Sequence, residues 1–518
     1  MFRAPDIDDV QEVAAALGFP LSAQDAAVFR TQLAQQLHEL DDFLQSRTPE
    51  VAPPRYPGAR EPGHRPSSED DPLGSWTWRC HVEGAPEGLL QGRTVSYKDH
   101  VAVAGIPMSL GTFVLDGHVP GFDATIVSRA LEAGATVVGK NVMNGLGGGY
   151  GFGGGVGDYG RPRNPHQPDH LTGGSSSGSA GAVVTGEVDI SFGGDQGGSI
   201  RIPASWSGCV GLKPTFGLVS HFGIGFGSDQ SIDFTGPMAM SVEDVARALD
   251  AVAGQDGLDP RQGPGTPRAY DSLTGLDEGV AGLRVGILEE GYLDADADVV
   301  DAVDEAVEVL AGLGATVTKV SVPAHLATGV AQQALSAEGS LAVLDTLFYG
   351  TWAKTYYPAD TIAAVTEAYA HHRLQLDPRS VMQHVLGTFA RRYWSGRLYA
   401  KSQNVRPLMV QAYDDALATV DVLVMPTTPT QAPRYEEPAR EDRLAMALQG
   451  ATTYRAVQNT RPFNFTGHPA LAVPTAKRNG LSASMQLVGR MHDDALLLRV
   501  AQAYTAAVPF AEHVAIGG

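Results

Sequence analysis

Apolar positions along the chain follow two different periods, and the change from one to the other divides the molecule. Near the N-terminus, Leu33, Leu37, Leu40 and Leu44 recur at steps of 4, 3 and 4, which is one apolar stripe along a helix of roughly 25 residues. Ser22 followed three residues later by Asp25 has the form of a capping box at its start. Such a stripe packs either on the chain's own body or on a second copy, so a homodimer is one expectation. Over residues 48–74 the pattern stops. Pro49, Pro53, Pro54, Pro57, Pro62, Pro66 and Pro72 fix φ and remove backbone donors, so this stretch reads as an extended connector. Residues 1–74 are therefore expected to form an N-terminal helical segment with a proline-rich connector, and residues 75–518 the main body.

The body alternates short apolar runs with helical patterns. Residues 94–97, 136–139, 188–192, 283–288 and 420–425 read as strands, and residues 124–132 as a helix. Val299, Val303, Ala306, Val307 and Leu310 sit at helical spacing, and Gly312 and Gly314 follow where a helix would end. Strands alternating with helices predict an α/β fold whose sheet is covered on both faces. Residues of about 290–400 carry few strand signals and read as a helical cap or insertion.

Charge and composition exclude several classes. The 518 residues hold 58 Asp and Glu against 37 Lys and Arg, a formal net charge of −21. That balance argues against a binder of nucleic acid or of a membrane surface, both of which need clustered cations. No run of 18 apolar residues suggests a membrane span, and the acidic N-terminus lacks the apolar core of a secretory signal. The expectation is a cytoplasmic protein. Cys80 and Cys209 make neither a disulfide framework nor a CxxC motif. His166 and His170 lack a third ligand nearby, so no metal and no cofactor are expected. Glycine is in excess: 61 residues, about 12% where roughly 7% is usual.

Three glycine clusters account for much of that excess. Residues 145–157, GLGGGYGFGGGVG, contain a formal G-x-G-x-x-G at Gly149, Gly151 and Gly154. A dinucleotide fingerprint must open a helix, and here the chain runs on into a proline-containing stretch. A loop at a substrate mouth, rimmed by Gly149, Tyr150, Gly151 and Phe152, fits better. Residues 171–186 contain G-x-S-x-G at Gly174, Ser176 and Gly178, the form of a nucleophile elbow. Its partners His468 and Asp493 come in the wrong order. Residues 191–205, SFGGDQGGSIRIPAS, follow a strand with a tight turn carrying Ser199. Glycines there let backbone N–H groups converge on one point, as an oxyanion hole requires.

Read together, the segments VSYKDH, GGSSSGSA and GGDQGGSIRIPASWSGCVGLKPTFGLVS, with FNFTGHPALAVP and VDVLVMPTTP downstream, resemble the amidase signature family over roughly residues 75–510. The resemblance implies a mixed central β-sheet covered by helices on both faces, and amide hydrolysis through an acyl-enzyme. It gives Ser199 as nucleophile, Ser175 as bridge after a cis Gly174–Ser175 bond, and Lys98 as base. Lysine serves as a base only when neutral, which burial among apolar neighbours promotes. The resemblance assigns the oxyanion to the backbone N–H groups of Gln196, Gly197, Gly198 and Ser199. Gly174, Asp195 and Arg201 then support the shape of the turns. The partner implied is a small-molecule amide, with aromatic or bulky amides foremost, and the small-residue loop 145–157 makes a carbamate the alternative. The same chemistry also serves aryl esters. The signature is shared by the glutaminyl-tRNA amidotransferase subunit, which works with a partner subunit.

Overall fold

The computed structural model describes residues 3–145, 158–225, 229–346, 353–372, 374, 376, 378–435, 455–509 and 514. The glycine loop read as a substrate mouth, with Gly149, Tyr150, Gly151 and Phe152, lies outside the described residues. The chain divides into two compact units, Met1–Ala52 and Pro53–Gly518.

The first unit contains α1 (Ile7–Ala16) and α2 (Ala23–Leu44). The α1 start is closed by a reciprocal capping box between Asp6 and Asp9. The α2 start is closed by Ser22, whose hydroxyl accepts from Asp25 N at 3.1 Å, satisfying a donor that has no partner within the helix. The leucine stripe is divided along α2. Leu33 and Leu37 are half-buried, whereas Leu40 and Leu44 are 62% and 77% exposed.

The second unit is built on a twelve-stranded mixed sheet. Its strands are β1 (Arg60–His64), β2 (Trp76–Val82), β3 (Thr94–Lys98), β4 (Thr136–Asn141), β5 (Ile190–Asp195), β6 (Val210–Lys213), β7 (Phe234–Ala239), β8 (Arg284–Leu288), β9 (Thr316–Val320), β10 (Val422–Pro426), β11 (Ala470–Pro474) and β12 (Ser484–Val488). They lie in the order β1-β2-β4-β3-β5-β7-β6-β11-β12-β10-β8-β9. The pairs of β3 with β4 and β5, and of β8 with β9 and β10, are parallel; the other neighbours are antiparallel.

Alternation along the strands sends side chains to two cores. On β10, Val422 and Val424 join one apolar cluster while Leu423 and Met425 join another, as a period of two requires. The first face is covered by α3 (Thr125–Glu132), α6 (Val242–Val252), α7 (Ala297–Gly312) and the C-terminal helix Asp494–Ala507. The second is covered by α4 (Ser177–Val184) and α5 (Arg201–Ser207) at one end and by α11 (Arg397–Thr419) at the other.

Two expected boundaries differ from this arrangement. Part of residues 48–74, read as connector, enters the sheet: β1 pairs with β2, and Arg60 forms a buried ion pair with Asp123 at 2.6 Å. Pro62 is tolerated because β1 is an edge strand, where a missing N–H costs no ladder bond. The helical region starts later than 290. Val299, Val303 and Leu310 of α7 are buried in the main core, and β9 follows, so the helical stretch runs from α8 (Ala324–Asp345) through α9 (Ala359–His372) and α10 (Pro378–Trp394) to α11. Among the described residues no helix is long and apolar enough to cross a membrane.

Candidate active site

Three chain segments meet at the end of the parallel part of the sheet. The first is β3, central between β4 and β5, which ends on Lys98. Its side chain is fully buried, with Nζ donating to Ser175 Oγ at 2.7 Å and to Gly194 O at 3.3 Å. The second is the stretch before α4. The Gly174–Ser175 peptide is cis, and Ser175 itself is buried. Gly173 has φ +82°, and a Cβ on it would stand 2.7 Å from Pro203 Cα, so only glycine lets this backbone lie against α5. The third is the turn after β5, residues 196–200. Ser199 is partly exposed there, unlike Ser175 and Ser176. Ser176 N donates to Ser199 O at 3.2 Å, tying the second segment to the third.

The turn is held from beneath by a buried ion pair. Asp195 accepts from Arg201 Nε at 3.0 Å and NH2 at 2.9 Å, from Asn464 Nδ2 at 2.8 Å, and from the backbone N–H groups of Gly198 and Ile200 at 2.7 and 3.1 Å. Arg201 in turn donates to Gln486 and Asn464 at 2.8 and 2.7 Å. Burial works to raise the Asp195 carboxyl, but the Arg201 guanidinium and these donors outweigh it and hold the group at about 2. The Gly198 N–H is thus committed to Asp195 and differs from the expected oxyanion donor; a carboxylate acceptor at 2.7 Å is the reason. Gly198 has φ +130°, and a Cβ on it would lie 2.3 Å from Thr460 Oγ1.

Burial dominates the electrostatics of Lys98. It pulls the ammonium down from the ordinary lysine value to about 7, against the opposing pull of Asp233 and Asp195. His100, two residues on, is also fully buried. Burial first, and then the neighbouring Lys98 charge, push it well below the usual imidazole value.

Several residues at the turn carry no sequence signal of their own. Gln196 donates through Nε2 to Asp233 Oδ1 at 2.5 Å, and its carbonyl accepts from Gln332 Nε2 of α8 at 2.6 Å. Thr460 Oγ1 donates to Gly197 O at 2.7 Å. Asn464 lies in the FNFTGHPALAVP segment, which was the available pointer to it. By contrast, the elbow constellation is not assembled. Ser176 Oγ exchanges hydrogen bonds with Gly194 O and N at 3.2 Å each, and His468 sits between Thr466 at 2.9 Å and Asp414 at 3.1 Å. Asp158, at the border of the glycine loop, accepts from Thr112 Oγ1 and Phe113 N at 2.9 and 2.8 Å.

An aromatic pocket adjoins this site. Met108, Phe122, Phe222, Tyr356, His221 and Arg261 are among its lining residues. Its wall is joined to the lysine segment by Gly225 N donating to His100 O at 2.7 Å and Ala102 N to Gly223 O at 2.9 Å.

The family model Amidase matches residues 77–498. An enantioselective amidase of Rhodococcus rhodochrous is 39% identical over 443 residues, covering 84% of each chain. A glutamyl-tRNA(Gln) amidotransferase subunit from Natronomonas pharaonis is 36% identical over 431 residues, covering 82% of this chain and 97% of that one. The crystal structure of the native peptide amidase from Stenotrophomonas maltophilia superimposes with a TM-score of 0.68 at 30% identity, covering 83% of this chain and 85% of the other. A family match across most of the chain, over a mixed sheet that ends on a buried lysine beside two serine turns, makes this chain a member of the amidase family, the amidase signature hydrolases that act on carbon–nitrogen bonds.

Proposed function

We propose that the chain hydrolyses carboxylic amides through Ser199, Ser175 and Lys98. The observation that carries this reading is the 2.7 Å contact of the buried Lys98 Nζ with Ser175 Oγ. Ser199 Oγ attacks the amide carbon, its proton passes to Ser175 Oγ, and the Ser175 proton passes to neutral Lys98 Nζ. The tetrahedral oxyanion is met by the backbone N–H groups of Gln196, Gly197 and Ser199. Returning along the same path, the proton leaves on the departing amine, and water then hydrolyses the acyl-enzyme. The partial exposure of Ser199 beside two buried serines supports its part as the group that substrate reaches.

Aromatic or bulky amides are the proposed substrates, supported by the aromatic lining beside the lysine segment. Aryl carbamates and aryl esters demand the same acyl transfer, and a carbamate preference is motivated by the composition of the glycine loop. A panel of an anilide, a small primary amide, an aryl carbamate and an aryl ester, hydrolysed by the purified chain alone, tests the reading. Turnover of the anilide or carbamate above the small amide is expected. Turnover of none of the four without an added subunit would favour the amidotransferase-type alternative. Ser199→Ala is expected to abolish turnover, and full activity in that variant would overturn the assignment of the nucleophile.

We also infer that α1 and α2 pair with a second copy of the chain. Leu40, Phe43 and Leu44 are left exposed at the end of α2, in a run where a solvated helix face would carry polar groups. Light scattering is expected to report a dimer, and Phe43→Asp with Leu44→Asp a monomer; a monomeric wild-type chain overturns it.

A further inference from the structure

The relay places a positive charge where no water can reach it. When Lys98 takes the proton it becomes a fully buried ammonium, and an uncompensated buried charge is strongly unfavourable. The buried carboxylates around the turn divide by what faces them. Asp195 is matched by Arg201 at 2.9 Å, Asp99 by Lys140 at 3.0 Å and Asp259 by Arg261 at 2.8 Å. Asp233 differs. It is 1% exposed, and among the described residues no lysine or arginine lies within ion-pair distance of its carboxylate. Its Oδ1 takes the Gln196 amide at 2.5 Å and lies 3.2 Å from His221 Nε2, while its Oδ2 has no hydrogen-bond partner among the described residues. Arg261 reaches only the Asp233 backbone carbonyl, at 2.7 Å.

We propose that Asp233 is a positioning residue for the proton relay: its carboxylate is the counter-charge for the Lys98 ammonium, and it is fixed beside the oxyanion turn by Gln196. This rests on Lys98 being the base. The other groups facing Lys98 do not supply that charge. Ser175 is neutral, His100 is held neutral by burial and by Lys98 itself, and the Asp195 charge is spent on Arg201. Asp99, next in the chain, is spent on Lys140 of β4. The end of β5 brings the two together: Gly194 O accepts from Lys98 Nζ at 3.3 Å, and the Gln196 amide, two residues on, holds Asp233 Oδ1 at 2.5 Å. Of the two carboxylates that favour the Lys98 ammonium, Asp233 acts more strongly than Asp195. His221 Nε2 lies 3.2 Å from Asp233 Oδ1, so a fixed cation introduced at that position would cancel the Asp233 charge.

The test uses a fluorophosphonate, whose rate of reaction with the activated serine needs no knowledge of the substrate. Inactivation of the full chain, followed against pH, is expected to rise through the Lys98 limb. Asp233→Asn removes the charge and His221→Arg neutralises it, and both should move that limb to lower pH by about half a unit or more. His221 also lines the aromatic pocket, and His221→Arg keeps the test open should Asp233→Asn fail to fold. Asp233→Glu should return the limb to its wild-type place, and His221→Gln, which leaves the carboxylate intact, should not lower it. An unmoved limb in both Asp233→Asn and His221→Arg overturns the proposal, as does a lowered limb in His221→Gln. Lys98→Ala separates the two readings. If that variant still reacts, Lys98 is not the base; if it is inert while the limb stays fixed in the other variants, only the part given to Asp233 falls.

Discussion

Lys98 can accept a proton only in its neutral form, and burial holds it at about 7. The sign follows directly: below that value the ammonium predominates and the relay has no acceptor, so turnover should rise with pH through a limb near 7 and level off above it. Replacing Lys98 by Ala should cost nearly as much as losing the nucleophile, because serine alone is a weak nucleophile. A pH–rate profile of kcat/KM checks the first outcome and kcat of the variant the second. Lys98, Ser175 and Ser199 stood out in the sequence as candidates because each sits in a motif that few other chemistries require. Asp233, His221 and Gln332 were not, since a lone Asp, His or Gln has no period or motif, and Gln332 reaches the turn from a helix far along the chain, 136 residues beyond Gln196.

The elements meeting at the site are tied by groups that tolerate little change. Arg201 and Asp195 join α5 to the end of β5, both fully buried. Removing one partner leaves the other uncompensated, so Arg201→Met should destabilise by about 3–5 kcal/mol, read from urea denaturation. With Asp195 at about 2, below the ordinary carboxylate value of about 3.9, the stability this pair contributes is complete above about pH 4 and lost as pH falls through about 2. Gly198→Ala places a Cβ against the Thr460 side chain at a positive φ, and the displaced turn should lower kcat by about 100-fold or more. The proline-rich stretch misled at this scale. Proline count marks where a helix cannot form, but it does not separate a free connector from an edge strand, and β1 is the latter.

For the molecule as a whole, the short apolar runs predicted β3, β4, β5, β8 and β10 well because both faces of the sheet are covered, and continuous apolar runs are what such strands need. The strand order was not legible. It depends on long crossovers, such as the one that brings β11 and β12 between β6 and β10, and no local pattern encodes which strands become neighbours. A twelve-stranded open sheet also has two rims where the ladder ends, and each is a template on which a foreign strand could grow. Here one rim is β1, only five residues long and interrupted by Pro62 and a register shift. The other is β9, equally short, half-exposed and carrying Lys319 outward. Proline, brevity and an outward charge are the features that stop edge-to-edge growth. The sheet that brings the lysine and both serine turns together therefore also resists aggregation, and Lys319→Val, which removes the charge from the β9 rim, should shorten the lag of aggregation on warming without altering turnover.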